Sequence, residues 1–176
     1  MEELVTSEIY HRVSLACESI ESNLPWPTGL MLLKIAGGGS SPSMVVSLLT
    51  IRQEKNGGAW CPKAQISSDV REYLEVDLTR PHLITRTETQ GRFGNGQGQE
   101  YAEQFLVEYW RDSLQQWTVY KDSNGQKVLA GNTNTYLVVS QDLELPFVAS
   151  KVRFIPYSQH TRTVCMRVEL YGCPWE

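Results

Sequence analysis

With 176 residues, 41% of them apolar, the chain has enough hydrophobic material for one domain with a real core. Its formal charge of −4, with no basic cluster interleaved with aromatics, argues against nucleic acid as a partner. The longest apolar run, residues 29–36, is interrupted by Lys34 and is too short to span a bilayer. The acidic opening Met1-Glu2-Glu3 is the reverse of a signal peptide's basic start, so no signal peptide is expected, and by composition the chain reads as soluble and unsecreted.

In chain order, residues 1–24 place Val5, Ile9, Val13, Ala16, Ile20 and Leu24 at steps of three and four. That is the apolar stripe of an amphipathic helix, which Pro25 and Pro27 end. Residues 37–43, GGGSSPS, have the composition of a flexible linker, so an atypical segment over 1–43 is expected to precede a domain over 44–176. Residues 44–51 are apolar and β-branched enough for a strand. From Gly57 onward short strands alternate with turns, the texture of a sandwich or barrel. Leu74, Val76 and Leu78 alternate with Glu75 and Asp77, which predicts one buried and one wet face. A further strand over 82–89 leads into residues 87–101, where Gly91, Gly94, Gly96 and Gly98 crowd together. Glycine at that density makes a loop, because its backbone freedom is costly inside a helix or strand. Arg92 and Glu100 belong to this loop, and a loop held by strands is where a β-protein keeps its binding groups. Residues 104–111 suit a helix or a strand, and their aromatic content favours a strand. Residues 116–121 and 126–129 flank Ser123-Asn124-Gly125, a hairpin signal. Strands over 136–139, 149–155 and 163–171 complete the set. In the last, Val164, Met166, Val168 and Leu170 face one way while Cys165, Arg167 and Glu169 face the other.

Catalytic chemistry finds little support. His11, His82 and His160 sit in no nucleophile motif. The Gly94-x-Gly96-x-Gly98 run lacks the dinucleotide-loop spacing, and there is no phosphate-loop lysine. Carboxylates are scattered without calcium-loop spacing. Neither an enzyme nor a cofactor is expected. The cysteines at 17, 61, 165 and 173 admit three pairings. They form no metal-binding C-x-x-C pair, which tilts them toward disulfides and an oxidising compartment.

Six segments carry a resemblance. They are Gly58-Ala59-Trp60-Cys61-Pro62, Tyr73-Leu74-Glu75-Val76-Asp77-Leu78, Thr89-Gln90-Gly91-Arg92, Gly131-Asn132, Val152-Arg153-Phe154-Ile155-Pro156, and the run from Val164 to Cys173. In this order they resemble the discoidin domain, also called the coagulation-factor type C module. The spelling is most similar to the collagen-binding discoidin domain receptor tyrosine kinases, of an invertebrate-like type. The resemblance runs from residue 52 to residue 175 and does not include residues 1–50.

It implies an all-β, eight-stranded antiparallel jelly roll or β-sandwich, here lacking its first strands and carrying a helical N-terminal extension. It also implies that Cys61 bonds Cys165. Cys17 is left as the candidate partner of Cys173, in a helical setting that disfavours the pairing. The implied function is the extracellular module of a plasma-membrane receptor that grips a collagen triple helix in cell-matrix adhesion and signalling. The kinase, and any receptor dimerisation, would lie in regions outside this sequence. Arg92 and Glu100 carry over as the basic and acidic residues of a pocket for an aromatic ligand side chain, with Cys61–Cys165 as a wall. Asn56, Gly57 and Thr163 complete the expected site. Gly57 stands where the family has an acidic partner for the arginine, and Thr163 where vertebrate-like receptors have asparagine. The family's tryptophan-and-threonine loop has no counterpart here. Three rivals remain: a fragment that never folds stably, Arg92 and Glu100 as a mere surface ion pair, and a discoidin-type adhesion module docking anionic phospholipid or glycan. The phospholipid or glycan reading ranks below collagen because the loop offers only Phe93 and Arg92 amid glycines and glutamines.

Overall fold

Alternating apolar residues at 74–90 and 139–157 make the two longest strands of the molecule. In the computed structural model, which describes residues 32–34, 45–47, 59–92, 94 and 98–175, the regular structure of the described residues is antiparallel β-sheet. The strands are β1 (Leu32–Lys34), β2 (Val45–Ser47), β3 (Leu74–Gln90), β4 (Gln104–Arg111), β5 (Gln116–Val119), β6 (Val128–Ala130), β7 (Val139–Tyr157) and β8 (Arg167–Pro174). The sheet runs β2-β1-β3-β7-β4-β5, with β6 also on β4 and β8 also on β3. This agrees with the all-β, eight-stranded expectation. The helix expected over 1–24 and the linker over 37–43 lie outside the described residues. Ahead of residue 52, β1 pairs with β3 through Leu33↔Val76, and β2 lies on β1.

Two readings of local turns are corrected. The break expected between residues 78 and 82 is a bend inside β3, not its end. Thr79 takes a left-handed φ of 63° and the register on β7 shifts between Asp77 and His82. A bulge of this kind bends a strand without ending its pairing. The Ser123-Asn124-Gly125 turn forms, with the Gly125 N–H donating to the Asp122 carbonyl at 3.0 Å. It does not make a hairpin of two mutually paired strands. β5 pairs with β4 at residues 108–111 and β6 with β4 at 104–106, so the turn belongs to an excursion between two pieces laid along one strand.

The core is apolar and continuous. Phe105, Phe154, Leu74, Val76, Val107, Met166 and Ile66 are buried, with the Phe105 and Phe154 rings 5.9 Å apart. Burying each such side chain is worth about 1.5–3 kcal/mol. The face expected to be wet is covered at Glu75, with Asp77 half-buried. Glu75 is buried and accepts a 2.8 Å bond from the Arg153 guanidinium, which lies 3.6 Å from the Trp117 ring centroid and 4.1 Å from that of Tyr73. Arg71 pairs with Glu108 in the same layer. Cys165 and Arg167, expected opposite the apolar face of their strand, are buried too. Alternation separates the two faces of a strand but does not say what covers the second one.

The Cys61–Cys165 bond joins positions 104 residues apart. Reciprocal backbone bonds between Trp60 and Met166, 3.0 and 2.8 Å long, hold the cysteines' neighbours together. Cys173 is disulfide-bonded as well, and Cys17 lies outside the described residues.

Candidate functional site around the glycine loop

The loop between β3 and β4 is fastened from below by buried polar side chains. Arg167 of β8, with 0% exposure, donates from Nε to the Gly91 carbonyl at 2.7 Å and from Nη2 to the Thr135 carbonyl at 3.1 Å. Only glycine fits at position 91, because a Cβ there would stand 2.8 Å from both Thr135 Cα and Tyr101 Cβ. Asn132 Nδ2 donates to the carbonyls of Thr89, at 3.0 Å, and Leu137, at 2.9 Å. Gln90 reaches the Tyr136 carbonyl. The glycine loop and residues 131–138 are thus tied to one base, which leaves Tyr136 and Leu137 exposed at 57% and 56%.

At the mouth, the Arg92 N–H donates to the Glu100 carbonyl at 3.0 Å, and the Glu100 carboxylate accepts the Gln99 N–H at 3.1 Å. The Arg92 guanidinium is exposed and, among the described residues, makes no ion pair or hydrogen bond. The plain surface pairing of Arg92 with Glu100 is therefore not what closes the loop. Backbone closes it.

Glu100 and Thr163 line one open depression of about 470 Å³, together with Glu103, Ser158, His160 and Arg162. Arg92 is not part of that lining. Cys165 is buried beside Val164, and Cys61 is exposed. Asn56 and Gly57 lie outside the described residues.

Two arginines of the site escaped the sequence reading. Arg167 was assigned to a face, but nothing local marks it as an anchor. Arg162 pairs with Glu103, lies 4.7 Å from the Tyr101 ring centroid and donates to the Gln99 carbonyl at 3.4 Å. Burial acts to lower its pKa, but hydrogen bonds to Glu103 and Tyr101 outweigh that and raise it above the ordinary arginine value. Its only signal in the sequence is its place directly before Thr163.

Residues 40–170 match the family model of the F5/8 type C domain. The chain is 47% identical over 126 residues to discoidin domain-containing receptor A of Caenorhabditis elegans, covering 72% of this chain and 16% of that protein. It is 44% identical over 124 residues to discoidin domain-containing receptor tyrosine kinase B of the same organism, again 16% of that protein's length. Among solved structures, discoidin II of Dictyostelium discoideum aligns with a TM-score of 0.56 at 18% identity, over 73% of this chain and 49% of that one. That likeness is one of fold.

Proposed function

The chain belongs to the F5/8 type C (discoidin) domain family, and from that premise we propose that it is the ligand-binding module of an extracellular receptor. Its ligand is a collagen triple helix, gripped at the outer side of the plasma membrane in cell-matrix adhesion and signalling. The module performs no catalysis and needs no cofactor. The relatives are receptors, one of them a receptor tyrosine kinase by name, and each is far longer than the part matched here.

One observation carries this reading: the Arg92 guanidinium stands exposed and, among the described residues, makes no ion pair, on a loop whose backbone is already closed by the Arg92 N–H bond to the Glu100 carbonyl. A planar cation that need not break an existing ion pair can stack directly on an aromatic ligand side chain. The neighbouring carboxylate can then accept a hydrogen bond from a polar group of the same ligand. Thr163 lines the same depression as Glu100 and supplies a hydroxyl.

The test is solid-phase binding to a triple-helical collagen peptide, run beside binding to phosphatidylserine liposomes. Arg92→Ala is expected to abolish collagen binding while leaving the melting temperature in place. If the variant still binds collagen, the site is wrongly assigned. The exposed pair Tyr136 and Leu137 favours a second reading, docking to an anionic phospholipid surface, since apolar side chains fixed at a loop end can enter a membrane interface. Liposome binding without collagen binding would establish that reading instead.

A further inference from the structure

Arg162 contacts one limb of the glycine loop at three points. Its guanidinium pairs with the Glu103 carboxylate, lies over the Tyr101 ring and donates to the Gln99 carbonyl. These residues bracket Glu100 on both sides in the chain. At its own backbone, Arg162 exchanges hydrogen bonds of 3.0 and 2.9 Å with Ile66, whose side chain is fully buried. The arginine is thus fixed to the core at its root and to the loop at its tip. Thr163 is its immediate neighbour in the chain, and both line the depression that Glu100 also lines.

Arg86 provides the contrast. It too has a carboxylate partner, Asp142, and an aromatic neighbour, Tyr171 at 5.6 Å. Its side chain and that of Asp142 are 45% and 72% exposed, and they sit on the paired bodies of β3 and β7, away from any loop. An exposed pair of that kind holds nothing in place. For Arg162 the corresponding side chain is 23% exposed.

We propose that Arg162 is a positioning residue of the binding site: by holding Gln99, Tyr101 and Glu103, it sets the Glu100 carboxylate against Thr163. The inference rests on the reading of the Arg92 and Glu100 loop as the ligand site. Arg162 acts through Glu100 and need not touch the ligand. Replacing it therefore loosens the limb and lowers affinity only as far as Glu100 contributes. Lysine at the same position retains the charge for Glu103 but loses the planar fork that stacks on Tyr101 and reaches Gln99.

Affinity for a triple-helical collagen peptide is measured by surface plasmon resonance on the full 176-residue chain. The variants are Arg162→Leu, Arg162→Lys, Glu100→Gln, the double variant Arg162→Leu/Glu100→Gln, and Arg86→Leu as a control that also loses an ion pair and an aromatic contact. Arg162→Leu is expected to weaken binding by about tenfold, and the double variant to bind no worse than Glu100→Gln alone. Arg162→Lys should recover part of the loss, and Arg86→Leu should bind like the parent. Parent-like binding by Arg162→Leu, or losses that multiply in the double variant, overturns the proposal. If Arg162→Leu melts below the assay temperature, Arg162→Lys and its double with Glu100→Gln are judged by the same criterion. Parent-like binding by Glu100→Gln is a separate failure: it removes the functional reading of the loop, and with it anything for Arg162 to position.

Discussion

Arg167 and Arg92 stand at opposite extremes of what an arginine can do in this domain. Arg167 is fully buried and donates to two main-chain carbonyls, so its removal leaves those acceptors without a donor in a place water does not reach. Arg167→Met is expected to lower the unfolding free energy by about 2–6 kcal/mol in urea denaturation, at about one to three for each of the two orphaned groups. Arg92→Ala, at an exposed site, should stay within about 0.5 kcal/mol of the parent in the same measurement. Nothing in the residue types separates these two arginines. Arg92 was found because it lies among glycines. Arg167 was placed on the correct side of its strand, but its burial depends on Gly91 and Thr135, which are distant in the chain. Glu75 follows the same logic: its partner Arg153 comes from a different strand.

At the scale of elements, β3 and β7 are the frame. Their pairing runs from Leu74↔Phe154 to Thr89↔Val139 through two register shifts, and β8 zips along the other edge of β3. The β8 contact depends on Gly172, where a Cβ would fall 1.9 Å from the Leu83 carbonyl oxygen. Gly172→Ala must therefore push β8 off β3. A loss of roughly 1–3 kcal/mol or more is expected, seen as a lower melting temperature and faster amide exchange at Leu83 and Ile84. The strand over 104–111 was readable because aromatic and β-branched residues favour a pleated, half-buried surface. The Ser123-Asn124-Gly125 turn was equally readable as a turn. Its role was not, because a turn signal does not specify which strand edge the chain returns to. Here it returns to β4, which already carries β5.

For the whole molecule, the Cys61–Cys165 bond is the longest covalent constraint among the described residues, closing a separation of 104 positions. In the loop-entropy model a bridge of that span disfavours the unfolded chain by roughly 4–5 kcal/mol. Cys61→Ser/Cys165→Ser is expected to lower stability by up to that amount. Chemical denaturation of the parent with and without a thiol reductant provides the cross-check. The bond also reaches the site, since Cys165 follows Thr163 by two positions and Cys61 follows Trp60, whose backbone is bonded to Met166. Lost binding above the new melting temperature is loss of fold. Lost binding below it would mean that the bridge shapes the rim.

The sequence by itself determined the fold class, the family and the position of the glycine loop. Each of these is written locally, in the period-two apolar pattern, in motif order and in glycine density. It also brought Cys61 and Cys165 together through the resemblance. Only the tertiary structure decided how the loop is held: backbone bonds at Arg92 and Glu100, Arg167 beneath, Arg162 at the side. It likewise decided that the second sheet face carries paired charges and aromatic rings, with Glu75 and Glu108 buried among them. The physical reason is common to all of these. A charged side chain is stable out of water only beside its partner, and here the partners meet only once strands far apart in the chain have paired.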